Sequence, residues 1–420
     1  MMKLRPLALL SVFALGVGGC VDHQPSLTGK NVSTLDVQLL SPTADQLGSP
    51  AAPVDVQQAT FNVIARDDTG AVVTQDMTAD VYISFGGVKT GIDTSCGATD
   101  NGAPIQTVTL TQGVLMNQTV MLPSAFGSTS LWIEDPKSGA TGASPTIYFR
   151  NATIPEVEKP ADLTAANATF CSPFNGKFLT FDTPSPGGQF VVTSVFDNAF
   201  SVTDTGATSF NSIYLFAFGQ PPSYIVEGAV VTSFSGNYSK FVGFTELNFP
   251  LFNVDQSAPL ATVPAPTALT YTDLSNVTTM LGNTAGVVTY TGTICDPDPA
   301  NPTNDSTIAK TDESWETYNQ FVVDGDGTCD SFTNIAVELP AKILGTFDPT
   351  LQIGKTATFV GMLQNHSGQN PETDANGNLI ACSATVACAA GTCQNGYCYK
   401  GAYNFWTLLP RRPEDVTVSN

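Results

Sequence analysis

The side chains in this sequence with a capacity for chemistry are its nine cysteines, its many aspartates and two histidines. Four cysteines, Cys382, Cys388, Cys393 and Cys398, fall within seventeen residues as Cys-x5-Cys-x4-Cys-x4-Cys, with Gly391 and Gly396 at turn positions. Zinc sites favour closer pairs, and no histidine stands nearby to complete a mixed set. The spacing therefore points to disulfides among these four, in one of three connectivities. Cys295 and Cys329 flank two neighbouring strands and are the next expected pair, which leaves Cys96 with Cys171 by elimination. Asp324, Asp326 and Asp330 sit in Asp-Gly-Asp-Gly-Thr-Cys-Asp, where carboxylates alternating around a tight turn could converge on one hard cation, calcium. The loop departs from an EF-hand, with glycine at its fourth place and Ile335 where a bidentate glutamate belongs. Asp and Gly also suit a plain hairpin between Phe321–Val323 and Ile335–Val337, which is the preferred reading. No other cofactor is implied.

Catalytic signatures are otherwise missing. His23 lies near the start, and His366, in Gln-Asn-His-Ser-Gly, reads as a polar loop residue rather than a base. There is no Gly-x-Ser-x-Gly elbow, no phosphate loop and no His-Glu-x-x-His helix. A glycosidase carboxylate pair needs no proximity in sequence, so the acids alone do not decide that chemistry.

The first residues supply Lys3 and Arg5, an apolar run from Leu7 to Val17, and then Gly18, Gly19 and Cys20. The run is shorter than the roughly 17 to 25 residues of a permanent span, and its order is that of a secretory signal. Val17-Gly-Gly-Cys20 resembles a lipobox. On that reading residues 1–19 are cleaved, Cys20 carries the lipid, and Val21 directs the protein to the outer membrane, on its periplasmic or cell-surface face. The remaining eight cysteines then suit an oxidising compartment. Only 13% of residues are charged and the formal charge is −21. Without Lys3 and Arg5 the basic residues fall from 16 to 14 against 37 acidic, a charge of −23. Such a field repels phosphate backbones, so no nucleic-acid partner is expected.

The elements that must carry these groups read as all-β. Residues 20–34 are a polar tether. From 35 to 150, alternating runs at Thr60–Ala65, Ala79–Phe85, Thr107–Leu110 and Ser130–Glu134 predict a β-sandwich. Residues 151–165, with Pro155 and Pro160, read as a linker. Strands are then expected at Gln189–Ser194, Ala199–Thr203, Ser212–Phe218 and Ala229–Phe234 in a module over 166–258. A second module over 259–420 has them at Val287–Ile294, Asn319–Val323, Ile335–Leu339, Thr356–Met362 and Tyr403–Leu409. The matching rhythm suggests two small barrels, the second interrupted by a cysteine-rich insert at 366–402.

Several stretches carry a resemblance. Gly228-Ala-Val-Val-Thr-Ser-Phe-Ser-Gly236, Phe241-Val-Gly-Phe-Thr-Glu-Leu-Asn-Phe-Pro250, Gly292-Thr-Ile-Cys295 and Trp406-Thr-Leu-Leu-Pro-Arg-Arg-Pro-Glu-Asp415 look like the OB-fold-like modules of bacterial surface proteins, myxobacterial lipoproteins among them. Ala229 departs from that pattern, which often has an acid after the glycine. Leu131-Trp-Ile-Glu-Asp135 and Gly142-Ala-Ser-Pro-Thr-Ile-Tyr-Phe-Arg150 resemble a bacterial immunoglobulin-like domain. The resemblance implies an immunoglobulin-like sandwich, two OB-like barrels and a non-catalytic binding or structural role toward a protein or glycan at the cell surface. The Phe216-Ala-Phe218 and Phe241-Val-Gly-Phe244 stretches would supply aromatic contacts if they point outward, but core packing is the commoner fate of such phenylalanines and the preferred reading. The competing reading is a secreted hydrolase or an accessory to nuclease or polysaccharide breakdown. For the lipid, Cys20→Ala is expected to move the expressed protein from the detergent phase to the aqueous phase on phase partition; equal partition of the two forms would count against lipidation.

Overall fold

The alternating runs form strands, because β-branched and aromatic side chains pack well on a pleated surface, and helices are confined to short pieces. The computed structural model describes residues 31–85, 88–90, 104–122, 125–160, 172, 174–241, 243–295, 319–327, 329, 335–371, 388, 392–394 and 397–419. Cys20, Cys96, Cys171, Asp330 and Cys382 lie outside the described residues. Among those described, no helix is long and apolar enough to cross a membrane.

The first unit contains β1 (Thr34–Ser41), β2 (Gln58–Arg66), β3 (Met77–Phe85), β4 (Val88–Thr90), β5 (Gln106–Leu110), β6 (Val114–Met121), β7 (Ser128–Glu134), β8 (Thr141–Ala143) and β9 (Ile147–Tyr148). One sheet runs β1-β2-β6 and the other β4-β3-β7-β8, with β5 also on β3 and β9 on β7. Leu35, Phe61 and Val63 of the first sheet share one core with Val81, Leu131 and Ile133 of the second. The two sheets approach so closely at one edge that a Cβ on Gly142 would stand 1.8 Å from the Leu35 carbonyl oxygen. Only glycine fits there.

The stretch read from its prolines as a linker holds a helix, α1 (Ile154–Glu158). Thr153 and Glu156 form a capping box at its start and Pro155 sits in the first turn, where its missing N–H costs nothing. Ile154 and Val157 are buried in the core of the next unit. Pro155 starts the helix rather than keeping the chain extended, and Pro160 follows its end.

That next unit contains β10 (Phe178–Phe181), β11 (Phe190–Val195), β12 (Ala199–Asp204), β13 (Ser212–Phe216), β14 (Val230–Phe241) and β15 (Phe244–Val254). β11 pairs with β12, β12 with β13, β13 in parallel with β15, and β15 with β14, which returns to β11. The five strands close into a barrel, and β10 is added on β14. Phenylalanines fill it: Phe234 stacks on Phe181 at 4.9 Å and meets Phe190 edge-on at 5.1 Å, geometries that favour the ring quadrupoles.

The last unit contains β16 (Thr267–Leu269), α2 (Val277–Gly282), β17 (Val287–Ile294), β18 (Gln320–Asp324), β19 (Ile335–Glu338), α3 (Ala341–Leu344), β20 (Thr356–Pro371), β21 (Thr392–Gln394), β22 (Tyr397–Pro410) and β23 (Val416–Val418). Its pairings follow the same circuit: β17 to β18, β18 to β19, β19 in parallel to β22, β22 to β20, and β20 back to β17. A disulfide between Cys295 and Cys329, with Cα atoms 5.8 Å apart, joins the paired ends of β17 and β18.

β20 and β22 continue past the barrel as a ribbon, pairing Gln369 with Ala402 and Pro371 with Tyr399. β21 joins it and places Cys393 opposite Cys398 in the ladder. His366, expected in a polar loop, stands in β20 opposite Phe405. A strand running beyond the barrel need not alternate apolar and polar residues, so periodicity misses it.

The barrels are held together by more than apolar contact. Phe196, Tyr214 and Phe244 of the first form one cluster with Ala285, Met362 and Leu409 of the second. Phe210, from the connection before β13, enters the second core, and its N–H reaches the Gly282 carbonyl at 2.7 Å. Arg411, directly after β22, is buried. Its Nε and Nη2 reach the two Asp415 oxygens at 2.9 and 3.1 Å, while Nη1 donates to the Thr193 carbonyl and to Glu227, each at 3.2 Å. Arg411→Ala is expected to destabilise the barrel pair by about 3–5 kcal/mol, since Asp415 would stay buried with only the longer 3.6 Å contact to Arg412 left to it. Arg412→Ala, removing a half-exposed partner of Glu227 and a longer contact to Asp415 that Arg411 already satisfies, is expected to cost under about 1 kcal/mol. Urea titration of both variants checks the contrast, and equal midpoints would remove the clamp.

Candidate functional site

Each face of the first barrel is set by the period of two along its strands. On β11, β12 and β13, Phe190, Val192, Phe200, Val202, Ile213 and Leu215 point into the core. The alternate residues form a hydroxyl row on the outside: Thr193 bonds Thr203 at 3.1 Å, and Thr203 bonds Ser212 at 2.8 Å. All three are buried, as is Ser201, whose hydroxyl donates to the Met362 sulfur at 2.8 Å. The second barrel covers this face, so no ligand reaches it in this arrangement.

The face carried by β10, β14, β15 and β13 is different. Register places Phe178 opposite Asn237, Asn237 opposite Asn248, and Asn248 beside Phe216. Leu179, Leu247 and Leu215 are in the core, so this whole row points outward. Phe178 is 57% exposed. At the other end Phe218 lies 4.2 Å from Phe216 and 4.4 Å from Phe249, ring centre to ring centre, and stacks on the latter. Phe218 and Phe249 are 54% and 70% exposed.

Two of these rings stand on strained backbone. Phe218 has φ +59° and Phe249 φ +53°, a left-handed conformation that costs a side-chain-bearing residue roughly 1–2 kcal/mol. At Phe249 the cause is a bulge, where the β14–β15 register shifts between Ser235 and Asn237. Pro250 follows it, and proline favours bulges because it cannot donate to the ladder. The strain turns outward a ring that regular alternation would send inward. Phe241 is also exposed, at 61%, whereas Phe244 is buried against the second barrel. Of the two aromatic stretches singled out in the sequence, each therefore sends one ring to solvent and holds the other more deeply.

Phe178 also opens onto a cleft of about 870 Å³ between the sandwich and the first barrel, a size typical of ligand sites. Phe126 and Tyr148 from the sandwich face Lys177, Thr180 and Asp182 from around β10. Arg150 lies over the Phe126 ring at 5.4 Å and is paired with Glu156, which holds that carboxyl below its usual range against the opposing effect of burial. Asn151 donates to Asp182 at 2.8 Å across the joint.

The carboxyls made more basic by their surroundings lie elsewhere. Burial pushes Glu158 up to about 7, with Lys240 opposing, and Glu246 up to about 7. Burial also raises Glu338, against a hydrogen bond from Gln320. None of the three lines the cleft; its described lining has one carboxylate, Asp182. Acid–base work needs two groups with separated roles in one accessible place, and the cleft gathers no such pair.

Asp324 is buried at the end of β18, and its oxygens accept the backbone N–H groups of Asp326 at 3.2 Å and Cys329 at 2.6 Å. It organises the turn between the paired strands β18 and β19. A Cβ on Gly325 would stand 2.4 Å from the Tyr290 hydroxyl, so Asp-Gly is fixed here by packing as well as by turn geometry. Among the described residues no group of three or more His, Cys, Asp or Glu is placed to hold a metal ion. Cys388 is disulfide-bonded.

The aromatic and amide row is the feature that sequence reasoning missed. Its advance signals were the Phe216-Ala-Phe218 stretch and Phe-Pro at 249–250, and neither shows which strands are neighbours. No protein-family model, curated protein or solved structure matches the chain. Phe249→Gly removes a ring and relieves the left-handed strain, since glycine adopts positive φ freely. The variant is expected to melt no lower than the parent protein in calorimetry; a clear drop in melting temperature would show that the ring serves folding rather than the surface.

Proposed function

We propose that this chain is an outer-membrane or cell-surface lipoprotein, anchored through Cys20, that binds a surface partner or extracellular polymer without turning it over. The observation that carries the reading is the stacked pair Phe218 and Phe249, open to solvent on strained backbone, with Phe216 beside Phe218 and partly buried against the inter-barrel cluster. Exposed rings stabilised by no core packing, at a cost in backbone energy, are retained where contact with another molecule offsets that cost. The neighbouring cleft adds volume without an acid–base pair.

The architecture supports the same reading. A circuit of first, second, third, fifth and fourth strands, with third and fifth parallel, is that of an OB-like barrel and occurs in both later units. Sheets β1-β2-β6 and β4-β3-β7-β8 around one core suit an immunoglobulin-like sandwich. Both folds serve widely as binding scaffolds, although fold alone assigns no ligand. OB-like barrels that take single-stranded nucleic acid do so with basic grooves. A charge of −21 opposes that use.

The full chain, held in detergent micelles, is to be passed over a panel of glycans, envelope fractions and nucleic acids, with retention and product formation both recorded. Retention without products is the expected outcome. Cleavage that vanishes when a carboxylate is replaced, or salt-sensitive retention of DNA, would replace the binding reading with an enzymatic or accessory one.

A further inference from the structure

Four side chains in register cross the outside of the first barrel from the interdomain cleft to the aromatic stack: Phe178, Asn237, Asn248 and Phe216. Three strand spacings separate the ends, roughly 14 Å. The row alongside it, Thr180, Ser235 and Leu251, is also in register and uncharged. The order of chemistry along the surface is thus ring, amide, amide, ring, with the Thr180 hydroxyl beside Phe178, the Ser235 hydroxyl beside Asn237, Leu251 beside Asn248, and no formal charge in either row.

That order discriminates between classes of partner. Interfaces with folded proteins place their apolar groups at the centre and polar groups at the rim; here the centre is polar and the ends are aromatic. A polyanion would need cations along its path, and these rows have none. An uncharged saccharide chain fits on both counts. One side of a pyranose ring presents C–H bonds that lie flat on an aromatic face. Its hydroxyls both donate and accept, and so does each primary amide. Neither Asn237 nor Asn248 has its amide engaged by another side chain among the described residues.

We propose that this face binds an uncharged polysaccharide or oligosaccharide, laid across β10, β14, β15 and β13 with its rings on Phe178 and on the Phe216–Phe218–Phe249 stack. The inference rests on the binding role given above and names the class of ligand. It does not use the Thr193–Thr203–Ser212 hydroxyl row, which the second barrel covers, and it meets that covered side only at Phe216, partly buried at the end of β13.

The test titrates the full chain in detergent micelles with neutral glucan oligomers and N-acetylglucosamine oligomers of increasing length, by calorimetry. Affinity is expected to rise with oligomer length until the row is spanned and to change little with salt. Phe249→Gly, Phe178→Ser and Asn237→Ala are each expected to weaken it by about tenfold or more while the melting temperature holds, which separates lost contact from lost fold. Absence of binding to every neutral oligomer by folded protein, or binding indifferent to all three variants, overturns the saccharide assignment. Binding of a purified protein or peptide that Phe249→Gly abolishes, with sugars ignored, also overturns it and leaves the binding role standing. Shortened oligomers in the cell would overturn both.

Discussion

The polar contact at the centre of the barrel pair is made by one buried guanidinium, beside an apolar cluster that both barrels share. Arg411 is buried where the chain leaves its last long strand, and there it meets Asp415 of its own turn, the Thr193 carbonyl of the first barrel and Glu227. Moving such an ion out of water is costly, and a single carboxylate seldom offsets the loss. Arg411 is tolerable because its planar fork divides among several acceptors. The contact joins residues 218 positions apart in sequence, so it can form only when both barrels are already in shape. It works as a test of correct docking more than as a source of affinity.

What the docking covers decides what stays available. The hydroxyl row Thr193–Thr203–Ser212 would be a hydrophilic surface on an isolated barrel. Buried in the docked protein, it instead satisfies itself, hydroxyl to hydroxyl. Buried polar groups are acceptable only when bonded, and the ladder meets that condition. The solvent-facing chemistry of the barrel is left to the opposite arc, where β10 widens the surface and the bulge at Phe249 turns an extra ring outward. The same docking encloses Tyr214, whose hydroxyl is raised by burial and by the charges of Glu246 and Glu338. Those carboxyls titrate as they do because they are packed, and the packing that shifts them also shields them.

The joint between sandwich and first barrel follows another logic. α1 contributes Ile154 and Val157 to the barrel core, so the connection is part of the fold it leads into. Its acidic residue Glu158 is enclosed near Lys240 and Tyr238. Burial lifts its pKa toward 7, and an unfolded glutamate ionises near the ordinary carboxylate value. Its contribution to stability is therefore greatest in acid and declines as pH rises between those two values. The cleft beside this joint stays open because polar contacts such as Asn151 to Asp182 bridge it only at points.

The sequence by itself determined the class of fold and most of its strands. Thr60–Ala65, Ala199–Thr203, Val287–Ile294 and Ile335–Leu339 are legible because a strand with one face on a core must alternate, and alternation is a local property. The Asp324-Gly turn is legible for the same reason, since turn chemistry acts within a few residues. The sequence also quoted Arg411 and Phe249 within its recognisable stretches without revealing what they do. Tertiary structure alone decided that Arg411 clamps two barrels, that Pro155 begins a buried helix, and that His366 belongs to a ribbon. It alone aligned Phe178, Asn237, Asn248 and Phe216, which come from four strands spread along the chain. Their adjacency is set by strand order and register, and these depend on which distant faces can be buried together, a cooperative outcome that no short window of residues contains.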